Sequence, residues 1–391
     1  MSSFDVVIVG GGVIGCSIAF ELAAEKLKAL VLDRDEPARG ASWAAAGMLA
    51  PGPDSPENLP LVPFAKESLR LYPGFIAALE EASRLSAAFA REGTLAVFFA
   101  PDGERERDHM VAEYLRLGIP IEPVPLRTAR ELESELGHAA TAVAQLPGEA
   151  TVDPRSLMNA LLSALRRRNI EIRPGCGVTS VLSEKGRCVG VIAGGEKILA
   201  KTVVIAAGCH SATLTNENTA EENWLARYAP THPVRGQMIA LRSNRLTLRR
   251  VLRSERGYLV PRPDGRVIAG STLEDAGFEN RVTPAGMRKI LDAALELVPG
   301  LADTEISETW SGLRPGTPDQ LPILGPTDID GLLIATGHYR NGILLAPATA
   351  KVLRECIVNG QIASNAQAFS PMRFSAAKSQ AAHSKRASAL S

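Results

Sequence analysis

The first 33 residues constrain this chain more than any other stretch. Phe4-Asp5-Val6-Val7-Ile8-Val9 is a short β-branched apolar run, the pattern of a parallel strand buried on both faces. It runs directly into Gly10-Gly11-Gly12-Val13-Ile14-Gly15, in which Gly10, Gly12 and Gly15 form GxGxxG. Ile18 and Leu22 continue a helical stripe to about Lys26, and Ala29-Leu30-Val31-Leu32 is the next strand, ending at Asp33. Gly10 permits the tight turn, Gly12 lets a pyrophosphate approach the backbone, and Gly15 lets the helix pack on the strand. The helix start offers free N–H groups and the positive end of its dipole to phosphates. Asp33 stands where an acid can bind both ribose hydroxyls, and it would repel a 2′-phosphate, which argues against NADP. A lone GxGxxG is also compatible with a glycine-rich turn; strand, turn, helix, strand and acid in order point to a dinucleotide. No second fingerprint follows, because Gly194-Gly195 lacks a third glycine and a helix pattern after it. One site implies one tightly held dinucleotide, which favours FAD reduced directly by its substrate.

Two later strands also end at glycine, Lys201 to Gly208 and Leu332 to Gly337. Ligands sit at the carboxyl ends of strands in such sheets, so these junctions belong with the first. Stretches 232–241, 257–270 and 305–310 read as antiparallel strands of a second domain. The expected fold is therefore a discontinuous α/β FAD-binding Rossmann-like domain of the glutathione-reductase type, plus an α+β substrate domain with a mainly antiparallel sheet. The first comprises 1–92, 148–215 and 321–374, and the second 93–147 and 216–320. The end, 375–391, is rich in Ser and Ala, has no acid, and reads as a disordered tail.

Composition narrows the classes. The 391 residues carry 43 basic and 43 acidic side chains, so no global field draws nucleic acid or anionic lipid. The five cysteines include no CxxC pair and the six histidines no HxxxH or HExxH, so neither disulfides nor a metal is expected. Val6 to Phe20 is too short and too glycine-rich to span a membrane, and no basic residue precedes it as in a signal peptide. These readings give a cytoplasmic protein that binds neither nucleic acid nor membrane, with homo-oligomerisation left open.

Several longer stretches share a likeness. They include Ala41-Ser42-Trp43-Ala44-Ala45-Ala46-Gly47-Met48-Leu49-Ala50-Pro51, Thr151-Val152-Asp153-Pro154, Pro233-Val234-Arg235-Gly236-Gln237 and Gly257-Tyr258-Leu259-Val260-Pro261-Arg262. The most specific run from Trp310 to Asp319 and from Gly337 to Pro347. With these, the sequence resembles the glycine oxidases of the D-amino-acid oxidase family, which serve thiamine biosynthesis. The resemblance implies FAD held non-covalently by Gly10, Gly12, Val13, Ile14 and Gly15, by Asp33 and Arg34, and by Ala41, Ser42, Ala46, Gly47 and Met48. It adds contacts near Val178 and Gly208 and along His338, Tyr339, Arg340, Asn341, Gly342, Ile343 and Leu344. It implies oxidation of glycine and similar small amines to the imine, with O₂ reduced to hydrogen peroxide. Glyoxylate and ammonia would follow, or the imine would pass to thiazole synthesis. Relatives more often carry Glu at the ribose acid, and Leu273 stands where a relative carries Met, a volume-conserving change in a pocket wall. Sarcosine-oxidase relatives tether FAD to a cysteine at a position that Gly312 holds here.

Arg314, in Gly312-Leu313-Arg314-Pro315-Gly316, is the candidate carboxylate anchor, because a guanidinium grips a carboxylate with two parallel bonds. The plain alternative is a structural pair with Asp319. Tyr258 could donate to the same carboxylate or be a core-edge aromatic, and Arg340 could face the substrate or the flavin edge. Met48 and Leu273 complete the expected substrate pocket. His338 reads as a backbone-level cofactor contact rather than a base. The motifs contain no convincing acid/base pair, which suits a neutral amine losing its α-hydrogen to the flavin without help from a protein base. The rival readings are a D-amino-acid or sarcosine-type dehydrogenase with a quinone acceptor, and a non-catalytic flavoprotein.

Overall fold

Strand Phe4–Val9 forms because its residues can be buried on both faces, and it lies between two parallel neighbours. On one side is Ala29–Leu32, followed by Glu171–Arg173; on the other is the carboxyl-terminal half of Glu196–Ile205, followed by Leu332–Thr336. Ile323–Pro326 closes that edge antiparallel. The amino-terminal half of Glu196–Ile205 leaves this sheet and pairs antiparallel with Arg187–Ala193, which in turn pairs with Val178–Glu184. These features appear in a computed structural model, which describes residues 3–374 apart from Asp54, 220–222 and 243–245. The tail expected at 375–391 lies outside the described residues.

One face of the parallel sheet is covered by the helices Val13–Leu22, Val62–Ser83, Pro154–Arg167 and Gly342–Asn359, around a core that includes Ile8, Ile18, Tyr72, Leu161 and Leu353. The opposite face packs under the antiparallel strands and the turn Trp224–Arg227. Among the described residues no helix is long and apolar enough to cross a membrane.

The second sheet has eight strands. Glu305–Gly316 lies at one edge beside His232–Arg242, which is followed by Arg266–Gly270, Tyr258–Pro261 and Val251–Arg253. Thr94–Phe99, Ala140–Leu146 and Glu122–Val124 complete it, the junction between Val251–Arg253 and Thr94–Phe99 being parallel. Period-two alternation sorts its side chains. Ile239 and Leu241 point into a core beneath the helix Pro284–Leu297, whereas Met238 and Ala240 point the other way, toward Trp310, Ala44 and Ala46. That inner face roofs the cofactor domain.

Arg314 lies near the end of the edge strand Glu305–Gly316. Arg314 pairs with Val234 and Pro315 with Pro233, an edge being where proline is tolerated in a sheet. Arg314 therefore shares a face with Gly312 and Trp310, and alternation turns it toward the cofactor side.

Candidate active site

A cavity of about 1430 Å³ runs from the glycine turn to the inner face of the second sheet. This is larger than the roughly 300–1,000 Å³ of ordinary small-ligand pockets, and it is long enough in residues to touch both domains. Gly10, Gly12, Val13, Ile14, Asp33, Arg34, Val178 and Gly208 line one end. Ala41, Ser42, Ala46, Gly47 and Met48 line the middle, and Tyr258, Arg314, Tyr339, Arg340, Asn341, Gly342 and Ile343 line the other part with His338.

The glycine turn is built as its spacing demands. Gly10 has φ +112°, and a Cβ there would stand 2.3 Å from the Ala206 carbonyl oxygen. A Cβ on Gly15 would stand 2.0 Å from the Gly10 carbonyl oxygen, so this glycine serves helix–strand contact and does not line the cavity. Gly12 differs: its Cβ would meet only the Ser42 hydroxyl, at 3.2 Å. The free space beside Gly12 is thus reserved for something other than protein. Asp33 accepts from the Gly11 amide at 2.7 Å through one oxygen and from the Asp35 amide at 3.0 Å through the other. Besides standing where a ribose acid is expected, it braces the glycine turn. Arg34 is exposed and ion-pairs with Asp35 at 2.9 Å.

The run from Ala44 to Met48 sits between the two domains. The Trp310 indole donates to the Ala44 carbonyl at 3.1 Å, Arg262 donates to the Ala46 carbonyl, and the Val152 amide donates to the Gly47 carbonyl at 2.9 Å. Gly47 has φ +77°, and a Cβ there would lie 2.0 Å from the Val152 oxygen. Opposite, helix Gly342–Asn359 begins at the cavity wall, so its first amides and its dipole face the ligand space. His338 is buried and its Nε2 bonds the Thr349 hydroxyl at 3.0 Å. Burial pushes its pKa down to about 3, so it is a neutral imidazole and not a base charged near neutrality.

Arg314 is held in place from behind. Nη1 donates to the Thr272 carbonyl at 3.2 Å and Nη2 to the Ser271 hydroxyl at 2.7 Å. Gly236 makes room for it: a Cβ there would come within 2.2 Å of Nη1. Burial lowers its pKa, and the groups acting most strongly on it besides burial are Tyr258, Arg340 and Tyr339, with no carboxylate among them. Asp319, the alternative partner, is taken by Arg373 through two bonds of 2.7 and 3.1 Å. The structure thus brings Arg314, Tyr258, Arg340 and Met48 into one cavity.

Besides Gly15, two expected contacts fall elsewhere. Leu273 is 56% exposed and does not line the cavity, because the chain turns outward after Thr272 and Glu274 pairs with Arg235. Leu344 is buried in the core, where its carbonyl accepts from the Ser68 hydroxyl. Sequence reasoning missed other wall residues. Arg253 and Arg256 reach the cavity from the hairpin before Tyr258, Arg256 pairing with Glu296 at 2.9 Å, and Tyr114 and Phe98 line a further part. The available signal was the turn Ser254-Glu255-Arg256-Gly257 placed directly before a candidate site strand. His210 also borders the cavity, stacked on Phe278 with ring centroids 4.7 Å apart.

The family of FAD dependent oxidoreductases matches residues 5–356. The chain belongs to this family. The oxidoreductase is 31% identical to a glycine oxidase of Pseudomonas putida over 361 residues, covering 92% of this chain and 96% of that protein. It is 35% identical over 378 residues to a bifunctional protein ThiO/ThiG of Synechocystis, covering 95% of this chain but 54% of that relative, about half its length. Among solved structures, glycine oxidase from Geobacillus kaustophilus superimposes with a TM-score of 0.86 at 29% identity, covering 95% of this chain and 99% of that one. FAD is the cofactor of the family, and the residues present fit it. The reserved space beside Gly12, the acid at Asp33, the clamped run 44–48 and the helix start at Gly342 form one continuous elongated cradle. Of the five cysteines only Cys209 borders the cavity, and burial pushes its thiol up to about 11. The groups around it include Arg34, which lies at the glycine-turn end with Asp33.

Proposed function

We propose that this oxidoreductase converts glycine and similar small amino acids or amines to the imine, with O₂ as electron acceptor and hydrogen peroxide as product. The imine then hydrolyses to glyoxylate and ammonia, or is passed to thiazole synthesis in thiamine formation. FAD, when bound, accepts the α-hydrogen together with its electron pair. The observation that carries the reading is Arg314: a half-buried guanidinium lining the cavity, fixed from behind by Thr272 and Ser271, with no carboxylate among the groups acting most strongly on it. A cation drawn partly out of water into a cavity favours a counter-charge there, and an amino-acid carboxylate fits it with bidentate bonds. Tyr258 adds a hydroxyl beside the guanidinium. Met48 supplies an apolar wall, and Arg340 adds positive charge that suits an anionic end. In this reading the chain binds and orients the substrate while its amine stays neutral, and the buried neutral His338 withdraws no proton.

The test is a peroxide-coupled screen of glycine, sarcosine and small D-amino acids on the yellow purified protein. Glycine should bleach the flavin anaerobically and yield peroxide in air. Failure of every one of these compounds to bleach it would overturn the reading.

A further inference from the structure

Arg262 lines no part of the cavity, yet it is among the most deeply buried charges in the chain, its side chain 4% exposed. It sits in the hairpin between Tyr258–Pro261 and Arg266–Gly270, flanked by Pro261 and Pro263. Its amide donates to the Arg266 carbonyl at 2.8 Å, which fixes the turn. The guanidinium divides its donors between two partners. Nε faces Asp153 Oδ2 at 3.3 Å, and Nη2 donates to the Ala46 carbonyl. Asp153 is itself committed. Its other oxygen caps the helix Pro154–Arg167 by accepting from the amides of Arg155 and Ser156 at 2.8 and 3.0 Å. The Ala46 carbonyl is therefore tied through one arginine to a helix start of the cofactor domain and to a hairpin of the substrate domain.

The orientation of the 44–48 run follows from this tie and its two companions. The carbonyls of Ala44, Ala46 and Gly47 are each drawn to a donor outside the run. Among the described residues, the amides of Ala45, Ala46 and Gly47 find no backbone acceptor, and all three residues line the cavity. Successive amides without acceptors form a site for developing negative charge. A flavin gains electrons on reduction, so donors fixed beside it favour its reduced form.

We propose that Arg262 is a positioning residue for the flavin: by holding the Ala46 carbonyl back, it presents the amides of Ala45 to Gly47 to the cofactor and raises the midpoint potential. The inference rests on FAD occupying this cavity and not on which amine is oxidised. A donor that strengthens on reduction binds reduced FAD more tightly than oxidised FAD, and the logarithm of the ratio of the two affinities sets the potential shift.

The test uses the holoenzyme and the double variant Arg262→Met with Asp153→Asn. It removes both charges together, so neither is left buried alone, and asparagine still caps the helix. The midpoint potential is measured by equilibration with a reference dye, and oxidised FAD affinity by titrating the apoprotein. The expected result is a tenfold fall in the equilibrium constant for flavin reduction, about 30 mV for two electrons, with a smaller change in oxidised FAD affinity. A folded variant whose potential matches the parent within a few millivolts overturns the proposal, even if its melting temperature has dropped. Should the double variant not fold, Arg262→Lys takes its place. Lysine keeps a charge opposite Asp153 but lacks the fork that reaches both partners, and the same fall or constancy of potential decides. Either outcome leaves the substrate reading untouched, because the amine screen is independent of it.

Discussion

Replacing Arg314 by alanine separates substrate anchoring from every other role in the site. The guanidinium has five N–H donors, and its contacts with the Thr272 carbonyl and the Ser271 hydroxyl occupy one donor on each Nη. The remaining edge is available to a carboxylate beside Tyr258. Glycine offers almost no apolar surface, so this pair must supply much of its binding and orientation. Truncating one partner of a desolvated charge pair costs about 3–5 kcal/mol. That is roughly two to four orders of magnitude in affinity, at about 1.4 kcal/mol per tenfold. The bonds lost to Thr272 and Ser271 reduce stability by about 0.5–1.5 kcal/mol each, but they weigh on folding and not on the substrate. Arg314→Ala should therefore keep its flavin spectrum and lower kcat/KM for glycine at least about a hundredfold in the peroxide assay. Arg314→Lys should recover only part, since a point charge cannot reproduce two parallel bonds. An amine without a carboxylate, if oxidised, should be indifferent to both. A flavin-loaded Arg314→Ala enzyme with near-normal glycine efficiency would refute the argument, and Arg340 would be the next residue to replace.

Three further outcomes follow from the same geometry. Gly12→Val should fold yet lose FAD, because its Cβ meets only the Ser42 hydroxyl while its side chain fills the space beside the turn; normal flavin content would misplace the phosphate site. Gly236→Ala should retain FAD but lose glycine efficiency, since the new methyl would stand 2.2 Å from Arg314 Nη1; steady-state kinetics with an unchanged KM and kcat would count against the fit. Anaerobic flavin reduction by subsaturating glycine should accelerate as pH rises toward the amine pKa. The cavity's two histidines, His338 and His210, are pushed by burial to about 3 and about 4, so both are neutral throughout that range and the slope belongs to the substrate. Stopped-flow rates flat from pH 6 to pH 9 would speak for a different proton inventory.

The dinucleotide end of the site was legible in the sequence because it is local. Strand, glycine turn, helix and acid lie within one βαβ unit, where apolar periodicity and the need for backbone without Cβ atoms fix both conformation and purpose. Even there, the bond from the Gly11 amide to Asp33 needed the fold, because residues 22 apart in sequence meet only once the second strand docks. The antiparallel strands were also readable, and Arg314 and Tyr258 could be singled out as candidates. Where these side chains point was not readable. A strand presents two faces, and which one looks at a cofactor depends on register and on what packs against the sheet. The pairing of Val234 with Arg314, and the seating of Trp310 against Ala44, chose the face. The same long-range packing turned Leu273 out to solvent, drew Arg253 and Arg256 to the cavity wall, and set Arg262 behind Ala46. A sequence carries the local signals of turn, strand and helix. The meeting of residues 46, 153, 262 and 310 exists only after two sheets have closed on each other, since no periodicity records a contact across two hundred residues.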